Sequence, residues 1–167
     1  HSATELTSIA KKKVENAEPW EKSIFQFLLN WFNDDEEIKV KTSGSTGNPK
    51  IIPIKKKAMI ASAKDTNSFF NLNSTTSALL CLSADFIAGK MMLVRALVGG
   101  FDLHYTEASS NALLNIRRSF DFTAVVPMQL EAALKQLKLE QWKEIKTIIV
   151  GGAALRDDLL PQIQALD

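Results

Sequence analysis

Apolar side chains recur at helical spacing in several parts of the chain. In PWEKSIFQFLLNWFN, residues 19–33, they return every three or four positions, which predicts an amphipathic helix that begins near Pro19. We expect residues 1–18 to be an extension that precedes this first helix. Later stretches with the same spacing are also predicted to be helices: KKKAMIASAKDTNSFF, GKMMLVRALVGG, SNALLNIRRSF and PMQLEAALKQL.

Short apolar runs stand between these helices and are typical of buried strands. They are ALLCL (78–82), FDLHY (101–105), FTAVV (122–126) and KTIIV (146–150). Strands that alternate with helices predict an α/β fold with a largely parallel sheet flanked by helices. Two further extended segments, IKVKT and KIIPI, lie on either side of a glycine-containing loop, and Pro53 restricts the second to a sheet edge or a bulge.

Length and charge limit the kinds of partner. A chain of 167 residues predicts one domain with one core. Its 46% hydrophobic and 23% charged residues are ordinary for a globular protein. Twenty basic and nineteen acidic residues leave a net charge of +1, which gives no general attraction to nucleic acid or to a membrane surface. We therefore expect no nucleic-acid partner, and any anionic ligand must be bound by local groups.

The cysteine content and the N-terminal sequence indicate a cytoplasmic protein. Cys81 is the single cysteine and lies among apolar residues, so we expect a buried structural thiol in a reducing compartment. The charged first twenty residues do not resemble a secretory signal. Lys90 and Arg95 interrupt the later apolar runs before they reach the ~18 residues that a membrane span needs. No membrane span is expected.

The loop KTSGSTGNPK, residues 41–50, has the composition of a phosphate site. Its glycines allow positive φ and a close approach of the ligand, so backbone N–H groups and hydroxyls can surround one anion. Lys50 adds a point charge, which favours a polyphosphate. A polar turn between two strands is the alternative. A Walker loop is excluded by Pro49, and a dinucleotide fingerprint by Thr46, because each stands where that motif requires glycine.

The stretch TSGSTGNPK resembles the phosphate loop of the adenylate-forming superfamily, which includes acyl-CoA and aryl-CoA ligases, peptide-synthetase adenylation domains and luciferases. In that family the loop holds the β- and γ-phosphates of ATP while a carboxylate attacks the α-phosphate. The resemblance implies that Lys50 has a catalytic role. The implied ATP-binding residues are Thr42, Ser43, Gly44, Ser45, Thr46, Gly47 and Lys50.

Three downstream stretches extend the resemblance. The segment that begins LLCLSADFIAGKMML is similar to the family's L-P-x-x-H-x-x-G pattern beside the acid pocket, and VVPMQLEAAL is similar to its V-P-T-x-L element. IIVGGAAL resembles the L-x-G-G-A-x-L turn on the nucleotide side, which implies nucleotide contacts at Gly151, Gly152 and Ala153.

The same resemblance implies acid-binding roles for Phe86, Gly89 and Lys90. Phe86 occupies the position where many relatives have a pocket histidine. Its ring would pack an aromatic acid, and the alternative is a core aromatic at a strand end. Lys90 would meet a substrate carboxylate, and the alternative is a solvated lysine at a helix start.

Taken together, these stretches resemble most closely the 2-succinylbenzoate–CoA ligases of bacterial menaquinone synthesis, over about residues 20–165. The implied reaction converts an acid and ATP to an acyl-adenylate and pyrophosphate, and the thiol of coenzyme A then displaces AMP. ATP, Mg²⁺ and coenzyme A are the implied cofactors, and the implied substrate is an aryl carboxylic acid. The alternatives are a ligase for another aryl or fatty acid, or a non-catalytic nucleotide-binding module.

Family members continue to a magnesium-binding glutamate, a ribose-binding aspartate and a C-terminal domain with a catalytic lysine. None of these follows Asp167. We therefore expect residues 19–167 to be the N-terminal half of the large domain, without a metal ligand and inactive alone. A naturally short protein is the alternative. A half-domain exposes apolar sheet surface, so self-association is a further expectation.

Overall fold

The structure is a computed structural model that describes residues 1–41 and 50–166. The chain packs as two compact units, the first formed by residues 1–72 and 83–99, the second by residues 73–82 and those from 100 onward. The α-helices are α1 (Ala3–Asn16), α2 (Lys22–Trp31), α3 (Lys56–Phe69), α4 (Ile87–Gly99), α5 (Pro127–Gln136), α6 (Leu139–Trp142) and α7 (Leu160–Gln164). The strands are β1 (Glu37–Lys41), β2 (Ile51–Lys55), β3 (Ser77–Leu80), β4 (Asp102–Tyr105), β5 (Phe120–Val125) and β6 (Ile145–Val150).

Helix α1 begins the first unit, although the apolar pattern predicts the first helix only near Pro19. Its N-terminus is a capping box, in which the Ser2 Oγ accepts from the Glu5 N–H at 3.2 Å and the Ser2 N–H donates to Glu5 Oε2 at 2.7 Å. Ala10 is fully buried, and α1 packs against α2. The Ser-x-x-Glu spacing was the available sequence signal for this helix, because its apolar stripe is narrow.

Helix α2 and the β1–β2 hairpin form as the apolar pattern predicts. The buried side of α2 carries Ile24, Phe25, Phe27 and Leu28. In β1, Ile38 and Val40 are buried while the lysines between and after them are exposed, which is the alternation of a strand with one buried face. Strand β2 pairs antiparallel with β1 and places Pro53 opposite Lys39. The expected edge position of this proline is confirmed.

The second unit contains the predicted parallel sheet. The strand order is β4-β3-β5-β6, and each neighbouring pair runs parallel. Leu79 and Val125 from the sheet pack in one cluster with Leu130 of α5 and Trp142 of α6, so these helices cover the sheet on one side. The predicted α/β class with a parallel sheet flanked by helices is therefore confirmed.

One predicted helix is wrong. The stretch SNALLNIRRSF, residues 110–120, forms only a 3₁₀ turn at Ala112–Asn115. Ala112 and Leu113 are buried in this turn, and the chain then leads through the exposed pair Arg117 and Arg118 into β5. The apolar run is long enough to bury one turn against α5, but too short to bury a longer helix.

A buried glutamine connects the carboxyl ends of the strands in the second unit. The Nε2 of Gln129, a residue only 3% exposed, donates to the carbonyl oxygens of Cys81 and Ser109, each at 2.9 Å. Its Oε1 accepts from the Val126 N–H at 3.2 Å, at the start of α5. Because one side chain satisfies three backbone groups, it holds the end of β3 and the start of α5 in one arrangement.

Gly89 lies in the first turn of α4, in the first unit. A Cβ at this position would lie 2.2 Å from the carbonyl oxygen of Ser83, which is backbone and has little freedom to move away. Glycine is therefore required here for the close packing of α4 against the segment that precedes it. A packing constraint accounts for this residue without reference to any ligand.

We expect Gln129→Leu to lower the free energy of unfolding by about 3 kcal/mol, because it leaves two carbonyls and one N–H without their partner. The change would be measured by chemical denaturation. Gln136→Leu, on the exposed end of the same helix, is the matched control and should change stability by less than about 0.5 kcal/mol. Equal midpoints for the two variants would contradict the role given to Gln129.

We expect Gly89→Ala to destabilise the protein by about 3 kcal/mol or more, since the new methyl group overlaps the Ser83 carbonyl. The matched control is Gly151→Ala, because a Cβ at Gly151 meets no atom within 4 Å. Thermal unfolding followed by circular dichroism compares the two. A Gly89→Ala protein as stable as the control would show that α4 moves away without cost.

Candidate functional site

The described residues include the base of the predicted phosphate loop. Lys41 ends β1 and pairs with Ile51, the first residue of β2, so the two ends of the loop lie side by side. Lys50 is exposed directly before β2. The other predicted phosphate ligands lie outside the described residues: Thr42, Ser43, Gly44, Ser45, Thr46 and Gly47. Their roles stay predictions.

Phe86, a predicted acid-binding residue, lies beside the base of this loop. Its backbone forms an isolated parallel β-bridge with Lys41. Its side chain is 43% exposed, so the ring is accessible and does not belong to the core. The pairing joins two segments that are far apart in sequence. The exposure of Phe86 excludes the alternative that it is a core aromatic.

Lys90, the second predicted acid-binding residue, is half-buried and held by the backbone. Its ammonium donates to the carbonyl oxygens of Ala84 and Asp85, the latter at 3.1 Å, and lies 6.0 Å from the centre of the Phe27 ring. Burial lowers the pKa of Lys90, with nearby Asp85 acting to raise it and Lys41 to lower it further. This lysine is therefore anchored in the fold and is not a freely solvated side chain.

A cleft of about 190 Å³ in the first unit lies beside Lys90. We call it the basic cleft, because three lysines and one carboxylate line it. Its lining residues are Ser23, Gln26, Phe27, Asn30, Lys39, Lys41, Ile51, Ala84, Asp85 and Lys90.

Helix α2 supplies the neutral side of the basic cleft. Ser23, Gln26, Phe27 and Asn30 follow at spacings of three, four and seven residues, which puts them on one face of the helix. Sequence reasoning missed these positions. The available signal was the polar stripe at Ser23, Gln26 and Asn30 that runs beside the apolar stripe of α2.

The predicted nucleotide-binding turn lies in the second unit, at the carboxyl end of β6. Gly151, Gly152 and Ala153 are exposed, and the Gly151 N–H donates to the Val125 carbonyl at 3.0 Å. Gly152 has φ of 87°, a conformation that favours glycine. Open α/β sheets bind ligands beyond the carboxyl ends of their strands, so this turn occupies a suitable edge of its sheet.

Other features add no further centre within the described residues. Residues 1–41 and 50–166 contain no group of three His, Cys, Asp or Glu side chains that could hold a metal ion. Cys81 is buried, and burial raises the pKa of its thiol, which makes it a poor nucleophile. None of the helices in this part of the chain is long and apolar enough to cross a membrane.

Comparison with known proteins identifies relatives of this arrangement. The model of the AMP-binding enzyme family matches residues 41–166, from the base of the loop to the end of the second unit. Among solved structures, an acyl-CoA synthetase (AMP-forming)/AMP-acid ligase II-like protein from Dyadobacter fermentans has a TM-score of 0.76 and 32% identity, over 90% of this chain and 45% of that chain.

Two further relatives are more distant. The O-succinylbenzoate coenzyme A synthetase of Bacillus subtilis, solved with AMP, has a TM-score of 0.63 at 20% identity, over 77% of this chain and 33% of that chain. The hybrid PKS-NRPS synthetase poxE of Penicillium oxalicum is 25% identical over 145 residues, which are 80% of this chain and 4% of that protein. The chain thus spans less than half the length of each of these relatives.

The family match covers most of the chain, and the fold matches the N-terminal part of adenylate-forming enzyme domains. This chain belongs to the AMP-binding enzyme family.

Proposed function

We propose that this chain is the ATP- and acid-binding part of an acid–CoA ligase that works through an acyl-adenylate. The main observation in support of this proposal is the pairing of Lys41 with Phe86. It brings the base of the predicted phosphate loop next to the predicted acid-binding segment. The family match, which begins at Lys41, supports the same assignment. The basic side chains around this point suit an anionic nucleotide.

In the proposed reaction, a carboxylate oxygen of the acid forms a bond to the α-phosphorus of ATP. The bond from that phosphorus to the bridging oxygen breaks, and pyrophosphate leaves. The thiol of coenzyme A then attacks the acyl carbon, loses its proton, and displaces AMP to give the thioester. The contribution of this chain is to position the phosphates and to stabilise developing charge, with Lys50 as a cation beside the loop.

Mg²⁺ is an expected cofactor of such a reaction and would neutralise phosphate charge when bound. The described residues contain no cluster of three metal-binding side chains, so we assign it no ligand in this part of the chain. Coenzyme A is likewise proposed as a co-substrate, and no residue is assigned to its binding here.

For the acid, we propose an aryl substrate, and 2-succinylbenzoate in particular. The accessible ring of Phe86 suits an aromatic acid. The fold shared with an O-succinylbenzoate coenzyme A synthetase is consistent with this choice. The second candidate is an adenylation domain for another acid, which is supported by the similarity to a hybrid PKS-NRPS synthetase.

Lys50→Ala in the full-length protein should lower the efficiency of adenylation about ten- to a hundredfold, since a hydrogen bond to a charged group contributes roughly 1.5–3 kcal/mol. Acid-dependent exchange of pyrophosphate into ATP measures this step. Lys64→Ala, an exposed lysine of α3, is the matched control and should retain the full rate. An unchanged rate for Lys50→Ala would remove Lys50 from the site.

The full-length protein should use 2-succinylbenzoate at least about tenfold more efficiently than benzoate or a medium-chain fatty acid, a difference of about 1.4 kcal/mol in the transition state. AMP release with the three acids in parallel measures the preference. Release of AMP with the fatty acid at an equal or higher rate would leave the family assignment standing and exclude the proposed substrate.

A further inference from the structure

We propose that the basic cleft binds a phosphate-bearing anion, and that its occupant is the pyrophosphate released by adenylation. The assignment of pyrophosphate rests on the proposed function, whereas the anion site itself rests on the geometry of the first unit. Lys39, Lys41 and Lys90 supply the charge.

The three lysines reach the basic cleft from two elements. Lys39 and Lys41 are two residues apart on β1, so their side chains leave the same face of the strand, while Ile38 and Val40 are buried on the other. Lys90 comes from the first turn of α4. Like charges that face one small space raise the local potential and attract an anion.

Only one of the lining residues is acidic, and its charge favours the ammonium form of Lys90. Asp85 accepts a hydrogen bond from the Ser83 hydroxyl at 3.3 Å, and its own N–H donates back to that hydroxyl at 3.2 Å. Cations therefore outnumber carboxylates by three to one among the residues that line the basic cleft. An anion would offset the resulting imbalance of charge.

Neutral donors face the same space from α2. The Gln26 Nε2 donates to the Asn30 Oδ1 at 3.1 Å, which uses the acceptor oxygen of Asn30 and leaves its NH₂ group as the part of the amide that donates. The Ser23 hydroxyl lies on the same helix face, but its proton is donated to the Trp20 carbonyl at 3.2 Å, so only its oxygen lone pairs remain. Ammonium and amide donors from different elements suit a ligand that presents acceptor oxygens in several directions.

Lys90 is held in place where it lines the basic cleft. Two of the three N–H groups of an ammonium are used by the carbonyls of Ala84 and Asp85, and the Phe27 ring supports the side chain. Burial lowers the pKa of Lys90, because it disfavours the charged ammonium form. An anion in the cleft would stabilise that charged form. The site is therefore preorganised on the Lys90 side.

Lysines without arginine favour phosphate over carboxylate. A planar carboxylate is bound best by the two-pronged guanidinium of arginine, whereas lysine acts as a point charge and commonly binds phosphate oxygens. Lys41 and Ile51, which both line the basic cleft, are the paired residues at the base of the predicted triphosphate loop. The basic cleft therefore includes the base of the predicted triphosphate loop.

The test is calorimetric titration of the protein with pyrophosphate, without ATP or acid. Lys39→Gln removes one charge from the cleft, and Lys64→Gln removes one exposed charge from α3 as the matched control. Lys39→Gln should weaken binding at least about fivefold, while the control binds as the unaltered protein does. Higher salt should weaken binding by the unaltered protein, because the Debye length shortens from about 10 Å at 0.1 M to about 3 Å at 1 M.

Folding and ligand identity are checked in parallel. Lys39 is exposed, so Lys39→Gln should unfold at the same temperature as the control. Titration with succinate, a small dicarboxylate, should give binding at least about tenfold weaker than pyrophosphate. Equal binding of succinate would overturn the phosphate assignment. Pyrophosphate binding that is unaffected by Lys39→Gln would overturn the site.

Two further outcomes separate this proposal from the proposed function. Titration with coenzyme A tests another ligand that carries phosphate groups. If coenzyme A binds in a manner that depends on Lys39 and pyrophosphate does not, the assignment of pyrophosphate is overturned. AMP release by the unaltered full-length protein is measured independently. If it releases no AMP with any acid but binds pyrophosphate through Lys39, the ligase assignment fails and the anion site is supported.

Discussion

The backbone pairing between Lys41 and Phe86 joins the end of β1 to the segment before α4 and so determines what lies at the base of the predicted phosphate loop. It fixes the segment before α4 against the end of β1, and the register of β1 with β2 fixes the other end of the loop at the same point. The absent side chain of Gly89 lets α4 approach the Ser83 carbonyl, and the Lys90 ammonium donates hydrogen bonds to the carbonyls of the two residues that follow Ser83. A small set of backbone constraints thus determines which residues lie at the base of the loop.

In the second unit, a buried network of polar side chains holds the strand ends and α5 together. Thr123 donates to the Leu79 carbonyl at 2.8 Å between neighbouring strands, and Gln129 joins the end of β3 to the start of α5. The adjoining β6 ends in the Gly151–Gly152 turn, whose first N–H bonds to the end of β5. Buried polar groups are stable only when their partners are in place, so the network specifies a single alignment of the strand ends.

Local periodicity made much of this architecture predictable from the sequence. The alternation around Ile38 and Val40, the apolar runs that became β3 to β6, and the spacing in α2 each report burial of one face, which is a local property. The apolar run at residues 110–120 led to the prediction of a helix that does not form. The apolar content of a segment does not show how much protein surface is available to bury it. Helix α1 was missed because its apolar stripe is narrow. Its main signal in the sequence is the capping box formed by Ser2 and Glu5.

The candidate site was less predictable, for a different physical reason. Motif positions identify Phe86 and Lys90, but the basic cleft arises from contacts between α2, β1 and the start of α4, which no local pattern encodes. The order of the strands in the parallel sheet is non-local in the same sense. Resemblance to a family assigns roles to matched positions only, so the polar residues on α2 had no assigned role.

Two lysines of the second unit provide a comparison for the lysines of the basic cleft. Lys135 pairs with Glu131 at 2.8 Å, and Lys146 pairs with Asp121 at 2.6 Å, so these cations have carboxylate partners within their own unit. In the cleft, three lysines share one carboxylate that is bonded to its own loop. Such like-charged clustering costs stability, although solvent and salt reduce the cost at the surface. An anionic ligand would supply there the partner that a carboxylate side chain supplies elsewhere in the fold.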